Sequence, residues 1–143
     1  MGPFNVMFAR FPFLRCDDPD VTDWLVGTVV SCKLDPRVSN VFHMRIDDTP
    51  ITLSRNRAVE AAKAAKADYL VMIDNDMSPD AYLSSNINRL DTDTSARPFW
   101  DSSWEFMLRH RDKGPCMLGS PYCGPPPHEN CYVFRFANFQ TGH

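Results

Sequence analysis

The chain has 143 residues, of which 43% are hydrophobic and 23% are charged, and its net charge is −3. These values are typical of one globular domain with its own core, and the small negative charge gives no reason to expect a nucleic-acid partner. No run approaches the roughly 18 apolar residues of a membrane helix. The N-terminus lacks the basic region and the long apolar stretch of a signal peptide, so we expect a cytoplasmic protein without a transmembrane segment.

Strands and helices alternate in the first part of the chain. Residues 5–9 (NVMFA) predict a first strand. Asp17 or Asp18 is the candidate N-cap of a helix that has Pro19 at its first position and reaches about Lys33. Apolar residues within that segment recur at helical spacing, which indicates one buried helix face.

The pattern continues with a second strand, a second helix and a third strand. Residues 39–46 alternate with a period of two, which is typical of a strand, and Thr49 is the candidate cap of the helix that follows. Residues 69–73 (YLVMI) predict the third strand. The order β-α-β-α-β favours an α/β fold, which we expect to be a three-layer α/β/α arrangement with a mostly parallel, Rossmann-like sheet and right-handed crossovers.

The pattern of the remaining chain is weaker. Residues 84–97 are polar and predict a loop, and residues 99–111 carry apolar side chains at helical spacing. We expect a fourth strand at residues 116–120 and a fifth, antiparallel strand at residues 131–136. No linker composition interrupts the sequence, so residues 1–143 are expected to form a single domain.

The five cysteines are odd in number and include no CxxC pair, so a disulfide framework is not expected. A zinc site with three cysteines and one histidine is an alternative, although structural zinc sites usually use more closely spaced ligand pairs. Ordinary thiols are the favoured interpretation. The residues that would form the zinc site are Cys116, Cys123, His128 and Cys131.

Two carboxylates, Asp74 and Asp76, directly follow the apolar third strand. Ligands of open α/β sheets bind outside the carboxyl ends of the strands. Paired carboxylates at that place can hold Mg²⁺ or Mn²⁺, which in turn binds phosphate oxygens. Asn75 is expected to point away from the metal, because successive side chains of an extended segment alternate. The structural alternative is a solvated loop with an Asx turn.

Four further residues are candidate ligand contacts. Arg55 and Asn56 lie early in the second helix, where a guanidinium and an amide can bind phosphate, ribose or base. Asp47, at the end of the second strand, can accept a hydrogen bond from a pyrimidine N3–H, or it can merely cap the next helix. Tyr122 lies in a Gly/Pro-rich stretch and either stacks on a ligand or belongs to a rigid connection.

The segment SRNRAVEAAKAAKADYLVMIDNDMSPD, residues 54–80, resembles the nucleotide-binding half of glycosyltransferases of the GT-A fold, of the family-2-like type. Those enzymes carry an "RN" in the helix that precedes an apolar strand ending in D-x-D. The later LGSPY is similar to the strand and turn that follow in that family.

The resemblance implies a metal-dependent glycosyltransferase that moves a sugar from a UDP- or GDP-linked donor to an acceptor. It implies that Mn²⁺ or Mg²⁺ is held by Asp76 and Asp74. Arg55 and Asn56 would line the donor site, Asp47 would lie near the base, and the segment Arg10-Phe11-Pro12 would form another wall.

Three alternatives stay open beside this interpretation. GT-A enzymes are usually longer than this chain, so it is either a fragment or compact variant of one, or an incomplete catalyst, and no general base is assigned. A nucleotidyltransferase shares the sheet and the paired acids, but RFPFLRCDDPD after the first strand has no glycine for a phosphate loop. A non-catalytic nucleotide-binding or interaction module is the third possibility.

Overall fold

The computed structural model describes residues 3–12, 16–47, 50–77, 80, 98–119, 122–123 and 131–132. The chain divides into two compact units, Met1–Trp100 and Asp101–His143. The expectation of a single domain, residues 1–143, stays a prediction. None of the helices in the described ranges has the length and apolar character needed to cross a membrane.

The first unit contains a parallel three-stranded sheet in the order β2-β1-β3. Its α/β character and its β-α-β-α-β order confirm the prediction at that level, with element ends that differ from the expected ones by only one or two residues. The three-layer, Rossmann-like arrangement of the GT-A type stays a prediction. The elements are β1 (Phe4–Phe11), α1 (Pro19–Leu34), β2 (Val38–Arg45), α2 (Ile51–Ala64) and β3 (Tyr69–Asp74).

The register of the sheet brings the carboxyl ends of its three strands side by side. Arg10 of the central strand β1 lies opposite Arg45 of β2 and Ile73 of β3, and Phe11 lies opposite Asp74. The polar residues that follow each strand therefore lie at one common edge, which we call the carboxyl edge.

Local chemistry explains where α1 begins. The Asp18 side chain accepts hydrogen bonds from the backbone N–H groups of Asp20 and Val21, and Pro19 occupies the first helical position. This cap satisfies two of the N–H groups that a helix start leaves without partners. The prediction for α1 is confirmed.

The predicted cap of α2 is wrong. Pro50 occupies the N-cap position and makes no side-chain cap hydrogen bond, while Thr49 lies outside the described residues. The helix is instead held by packing, because Ala58 and Ala62 are buried. Small side chains at these positions let the helix approach the sheet closely.

Both faces of β1 are covered. Ala9 and Phe11 form a buried cluster with Ile46 and Ala58, whereas Phe8, which points to the opposite face, stacks in a tilted arrangement on Trp100 with ring centroids 5.5 Å apart. A central strand buried on both faces is the expected consequence of helical crossovers on a parallel sheet.

The buried face of α1 includes Cys32, whose side chain is fully buried. Burial, assisted by the nearby negative charge of Asp35, raises the pKa of the Cys32 thiol to about 11. The thiol therefore stays neutral at physiological pH and serves the core as a small apolar group.

The helix α3 (Phe99–His110) begins at the end of the first unit and is followed by a 3₁₀ turn, Arg111–Lys113. Gly114 ends this turn with a φ of +101°, a conformation that glycine adopts without steric cost. The predicted helix is thus confirmed to within a turn.

The strand predictions for the second unit need correction. The described part of residues 116–120 is exposed and forms no strand. Instead β4 (Tyr122–Cys123) pairs with β5 (Cys131–Tyr132) in a separate antiparallel ladder, with Tyr122 opposite Tyr132. The fifth strand is antiparallel as predicted, but residues 133–136 lie outside the described residues. Tyr122 therefore belongs to a strand rather than to a rigid connection.

Candidate functional site

The carboxyl edge carries more acidic than basic groups. Among the described residues, those at the carboxyl edge include five carboxylates and three guanidinium groups, which lie at the ends of the strands, in the loops that follow them and in the second turn of α2. The formal charge of the edge is therefore negative before any ligand binds. The carboxylates are those of Asp17, Asp18, Asp47, Asp74 and Asp76, and the guanidinium groups are those of Arg10, Arg45 and Arg55.

Asp74, the last residue of β3, forms an ion pair with Arg55 of α2. Arg55 Nη2 donates to Asp74 Oδ1 at 3.2 Å and to Oδ2 at 3.0 Å. Both side chains remain partly exposed, at 49% for Arg55 and 42% for Asp74. The structure thus brings together two of the predicted site residues across 19 positions of sequence.

Asn75 points to different partners. Its Oδ1 accepts hydrogen bonds from Arg10 Nη2 at 3.2 Å and from the backbone N–H of Asp18 at 3.1 Å. Asp74 thus contacts α2, while Asn75, which lies in a turn rather than in an extended segment, contacts the start of α1, and its orientation relative to a metal stays a prediction. Asn75 therefore connects the turn after β3 to the N-terminus of α1 through a hydrogen bond.

Asp76 is exposed, and within the described ranges its side chain has no hydrogen-bond or ion-pair partner; the same holds for the side chain of Asn56. The described residues include no group of three or more His, Cys, Asp or Glu side chains that could hold a metal ion. A cation held by Asp74 and Asp76 would therefore take its other ligands from water or from a bound molecule, as Mg²⁺ commonly does.

A second charge network lies at the ends of β1 and β2. Asp17 Oδ1 is shared by Arg10 Nη2 at 3.5 Å and Arg45 Nε at 3.3 Å. Arg45 Nη1 also donates to Asp47 Oδ2 at 2.7 Å. Asp47, predicted as a base contact, is therefore already engaged through one of its oxygens.

The role of Arg10 was missed by the sequence reasoning, which treated it only as part of a wall. Its side chain is 4% exposed, and its Nε has no hydrogen-bond partner among the described residues. The sequence did contain a signal for this role, because Arg10 is an arginine at the end of an otherwise apolar strand. A charge buried at such a place requires partners.

The electrostatic influence of Arg10 extends to β2. Burial, followed by the positive charge of Arg10, lowers the pKa of His43, and the carboxylate of Asp17 opposes this shift. His43 is therefore more readily neutral than an ordinary histidine.

Of the remaining predicted site residues, Phe11 is placed differently, Pro12 lies where it was expected, and the role of Tyr122 stays open. Phe11, expected in a wall of the site, is 4% exposed and belongs to the core cluster, because its side chain faces Ala58 of α2. Pro12 is half-buried at the end of β1, at the carboxyl edge. Tyr122 lies in the second unit, and its contact with a ligand stays a prediction.

Asp80 is a further residue that sequence reasoning missed. Its Oδ2 accepts a hydrogen bond from Trp24 Nε1 at 2.7 Å, and its Oδ1 accepts one from the backbone N–H of Phe99 at 2.6 Å. The residue has a φ of +68°, which is uncommon for a residue other than glycine. Asp80 thus connects the chain after the D-x-D motif to both α1 and the start of α3.

No family model matches the chain, and no curated protein or solved structure matches it either. The resemblance to GT-A glycosyltransferases therefore rests on the sequence pattern alone and stays a prediction.

Proposed function

We propose that the carboxyl edge binds a nucleoside diphosphate together with a divalent cation, as the donor site of a metal-dependent GT-A glycosyltransferase. The observation that carries this proposal is the arrangement around the D-x-D motif. Asp74 and Asp76 lie at the end of a strand in a parallel sheet, and Arg55 of the preceding helix reaches Asp74. Ligands of such sheets bind at this edge.

The charge balance supports a role for a cation. An edge with more carboxylates than guanidinium groups repels a free diphosphate, whereas it attracts a divalent cation. Carboxylate oxygens are suitable ligands for Mg²⁺ or Mn²⁺, and Asp74 and Asp76 would hold the ion. When bound, such an ion neutralises the diphosphate and stabilises it as a leaving group.

The remaining residues have roles that follow from their positions. Arg55 and Asn56 would contact the phosphates and the ribose of a UDP- or GDP-linked sugar. Asp47 retains Oδ1 as an acceptor for the base, because its ion pair with Arg45 uses Oδ2. Pro12 would border the donor, and the acceptor is a separate molecule whose identity the described residues leave open.

Calorimetric titration with UDP and GDP, with and without Mn²⁺, tests the binding step. We expect binding that requires the metal, and the substitution Asp76→Asn should lower the affinity for the metal–nucleotide complex at least about tenfold, because it removes a carboxylate ligand. The control Glu60→Gln removes one exposed carboxylate from α2 and should leave the affinity unchanged. Nucleotide binding that ignores both the metal and Asp76→Asn would contradict the proposal.

Sugar turnover separates the enzyme from a nucleotide-binding module. A transferase should release UDP or GDP from its donor in the presence of Mn²⁺, slowly with water and faster with a suitable acceptor. Release can be measured by nuclear magnetic resonance of the phosphorus nuclei. Metal-dependent nucleotide binding without release from any UDP- or GDP-linked sugar would instead favour the non-catalytic module.

A further inference from the structure

We propose that Arg55 and the metal ion compete for Asp74, so that metal binding releases the Arg55 guanidinium to the diphosphate. This inference rests on the proposed function and adds an order of events to it. Arg55 is the counter-ion of Asp74 in the metal-free protein. A cation held by Asp74 and Asp76 would take its place, and the guanidinium of Arg55 would then be available to bind the phosphates of the nucleotide.

The geometry of the ion pair places a cation and Arg55 in competition for Asp74. A single nitrogen, Arg55 Nη2, contacts both carboxylate oxygens of Asp74 at 3.0 and 3.2 Å. A cation chelated by both oxygens of Asp74 would need the place that this nitrogen occupies. Two positive charges on one carboxylate repel each other, so cation binding would weaken the hold of Asp74 on the guanidinium.

Because the Arg55–Asp74 ion pair is partly exposed, breaking it costs little free energy. Both side chains are partly exposed, and ion pairs of this kind are weakly stabilising because water screens them. Asp76, which has no partner within the described part of the chain, offers the cation a first ligand before Asp74 exchanges. An exposed arginine has the reach and the rotamer freedom to move from a carboxylate to a nearby phosphate.

A second positive charge, that of Arg10, lies at the same edge beside the turn that carries the two acids. Arg10 is 4% exposed, and its Nε has no partner among the described residues. Its nearest carboxylate, that of Asp17 at 3.5 Å, is shared with Arg45. The guanidinium of Arg10 also contacts Asn75, between the two acids. Arg10 Nη2 also donates to the backbone carbonyl of Asp18 at 3.2 Å, so Arg10 is a fixed positive charge beside the D-x-D turn, and its field would favour the phosphates of a metal-bound nucleotide.

The competition predicts opposite effects of one substitution on two ligands. Arg55→Gln frees Asp74, so the affinity for Mn²⁺ alone should rise about two- to fivefold, the range that an exposed ion pair allows. The same substitution removes a phosphate contact, so the affinity of the Mn²⁺-loaded protein for UDP or GDP should fall about tenfold. Electron paramagnetic resonance of free Mn²⁺ measures the first affinity, and calorimetry measures the second.

Matched variants separate the competition from a general charge effect. Arg57→Gln removes the same charge from the same helix and should change the Mn²⁺ affinity less than Arg55→Gln does. Arg55→Lys keeps a positive charge near Asp74 and should restore an Mn²⁺ affinity close to that of the unsubstituted protein. Asp74→Asn should weaken Mn²⁺ binding and raise the metal-free affinity for UDP about threefold or more, because Arg55 is then unpaired. Circular dichroism of each variant verifies its folding.

The outcomes distinguish this inference from the function on which it rests. If the unsubstituted protein binds Mn²⁺ and nucleotide but Arg55→Gln leaves the Mn²⁺ affinity unchanged or lowers it, the competition is wrong and the proposed function stands. An equal rise in Mn²⁺ affinity for Arg57→Gln would also overturn the competition. If the unsubstituted protein binds neither ligand, the proposed function and the competition are both overturned.

Discussion

Asn75 shows how one residue between two acids can act on the scaffold rather than on a ligand. Its side-chain oxygen Oδ1 accepts hydrogen bonds from the buried guanidinium of Arg10 and from the backbone N–H of Asp18. Asn75 therefore joins the ends of β1 and β3 to the start of α1. The turn that presents Asp74 and Asp76 is therefore held from the face opposite to Arg55. A neutral amide suffices here because Asp17 already provides a carboxylate to Arg10.

Substitution of Asn75 tests this structural role. Asn75→Ala removes the acceptor of two donors and should lower the free energy of unfolding by about 1–3 kcal/mol, because Arg10 and the Asp18 N–H lose a partner. Asn75→Asp keeps an acceptor at the same place and should retain most of the stability. Urea unfolding followed by fluorescence measures both changes. An alanine variant as stable as the unsubstituted protein would show that these hydrogen bonds are dispensable.

At the scale of elements, short polar links determine where the helices and strands meet. The link from α1 to β2 is closed by Asp35, whose backbone N–H donates to the carbonyl of Cys32 and whose carbonyl accepts from the N–H of Val38. The Asp35 carboxylate accepts from the backbone N–H and from the guanidinium of Arg37. Asp35 thus follows the last residue of α1, and its hydrogen bonds hold the turn that leads to the start of β2 three residues later.

The link makes a testable contribution to the pH dependence of stability. The hydrogen bond from the Arg37 side chain holds the pKa of Asp35 below its ordinary value of 3.8. A lowered pKa stabilises the folded protein above pH 3.8, and this stabilisation is lost as the pH falls through the folded-state pKa. Asp35→Asn should therefore cost about 1 kcal/mol at pH 7, and the difference should shrink below pH 3.8.

Urea unfolding of Asp35→Asn and of the unsubstituted protein between about pH 2 and pH 7 measures the difference in their free energies of unfolding. This interval covers the ordinary range of carboxyl titration. The variant Asp101→Asn, in the first turn of α3, serves as a control at an exposed carboxylate. A difference between Asp35→Asn and the unsubstituted protein that does not depend on pH would contradict the assigned role of the ionised carboxylate.

At the scale of the whole molecule, the central strand β1 is the most buried strand of the parallel sheet in the described part of the chain. β1 pairs with β2 on one side and with β3 on the other, and Val6, Phe8 and Ala9 are fully buried. The two neighbouring strands are partly exposed by comparison, since Ser39 and Asn40 of β2 are exposed. The stability of the first unit is therefore concentrated around β1.

Hydrogen exchange followed by mass spectrometry should reveal this gradient. We expect the backbone amides of residues 6–10 to exchange slowest in the first unit, because their hydrogen bonds open only with global unfolding. Peptides from β2 should exchange sooner, since that strand pairs with one neighbour among the described residues. Equal exchange of β1 and β2 would mean that the sheet opens as one unit from its edge.

The sequence by itself determined the order and the ends of most elements in the first unit. Periodicity, the cap at Asp18 and the abrupt stop of the third strand at Asp74 are local properties, because they depend on neighbours within one or two turns. They were sufficient to place the paired acids at the carboxyl end of the third strand. They failed at residues 116–120, since a strand forms only where a partner strand is present, and local pattern does not reveal that partner.

Only the tertiary structure decided which side chains meet at the carboxyl edge. The side chains of Arg55 and Asp74 are hydrogen-bonded although they are 19 positions apart in the sequence. The hydrogen bond from Arg10 to Asn75 spans 65 positions, and the one from Trp24 to Asp80 spans 56. These contacts depend on strand order and register, which bring residues together through the packing of the whole sheet. The acids could be found in the sequence, but their contacts could not. Only the tertiary structure shows that Asp74 is paired with Arg55, whereas the Asp76 side chain has no partner among the described residues.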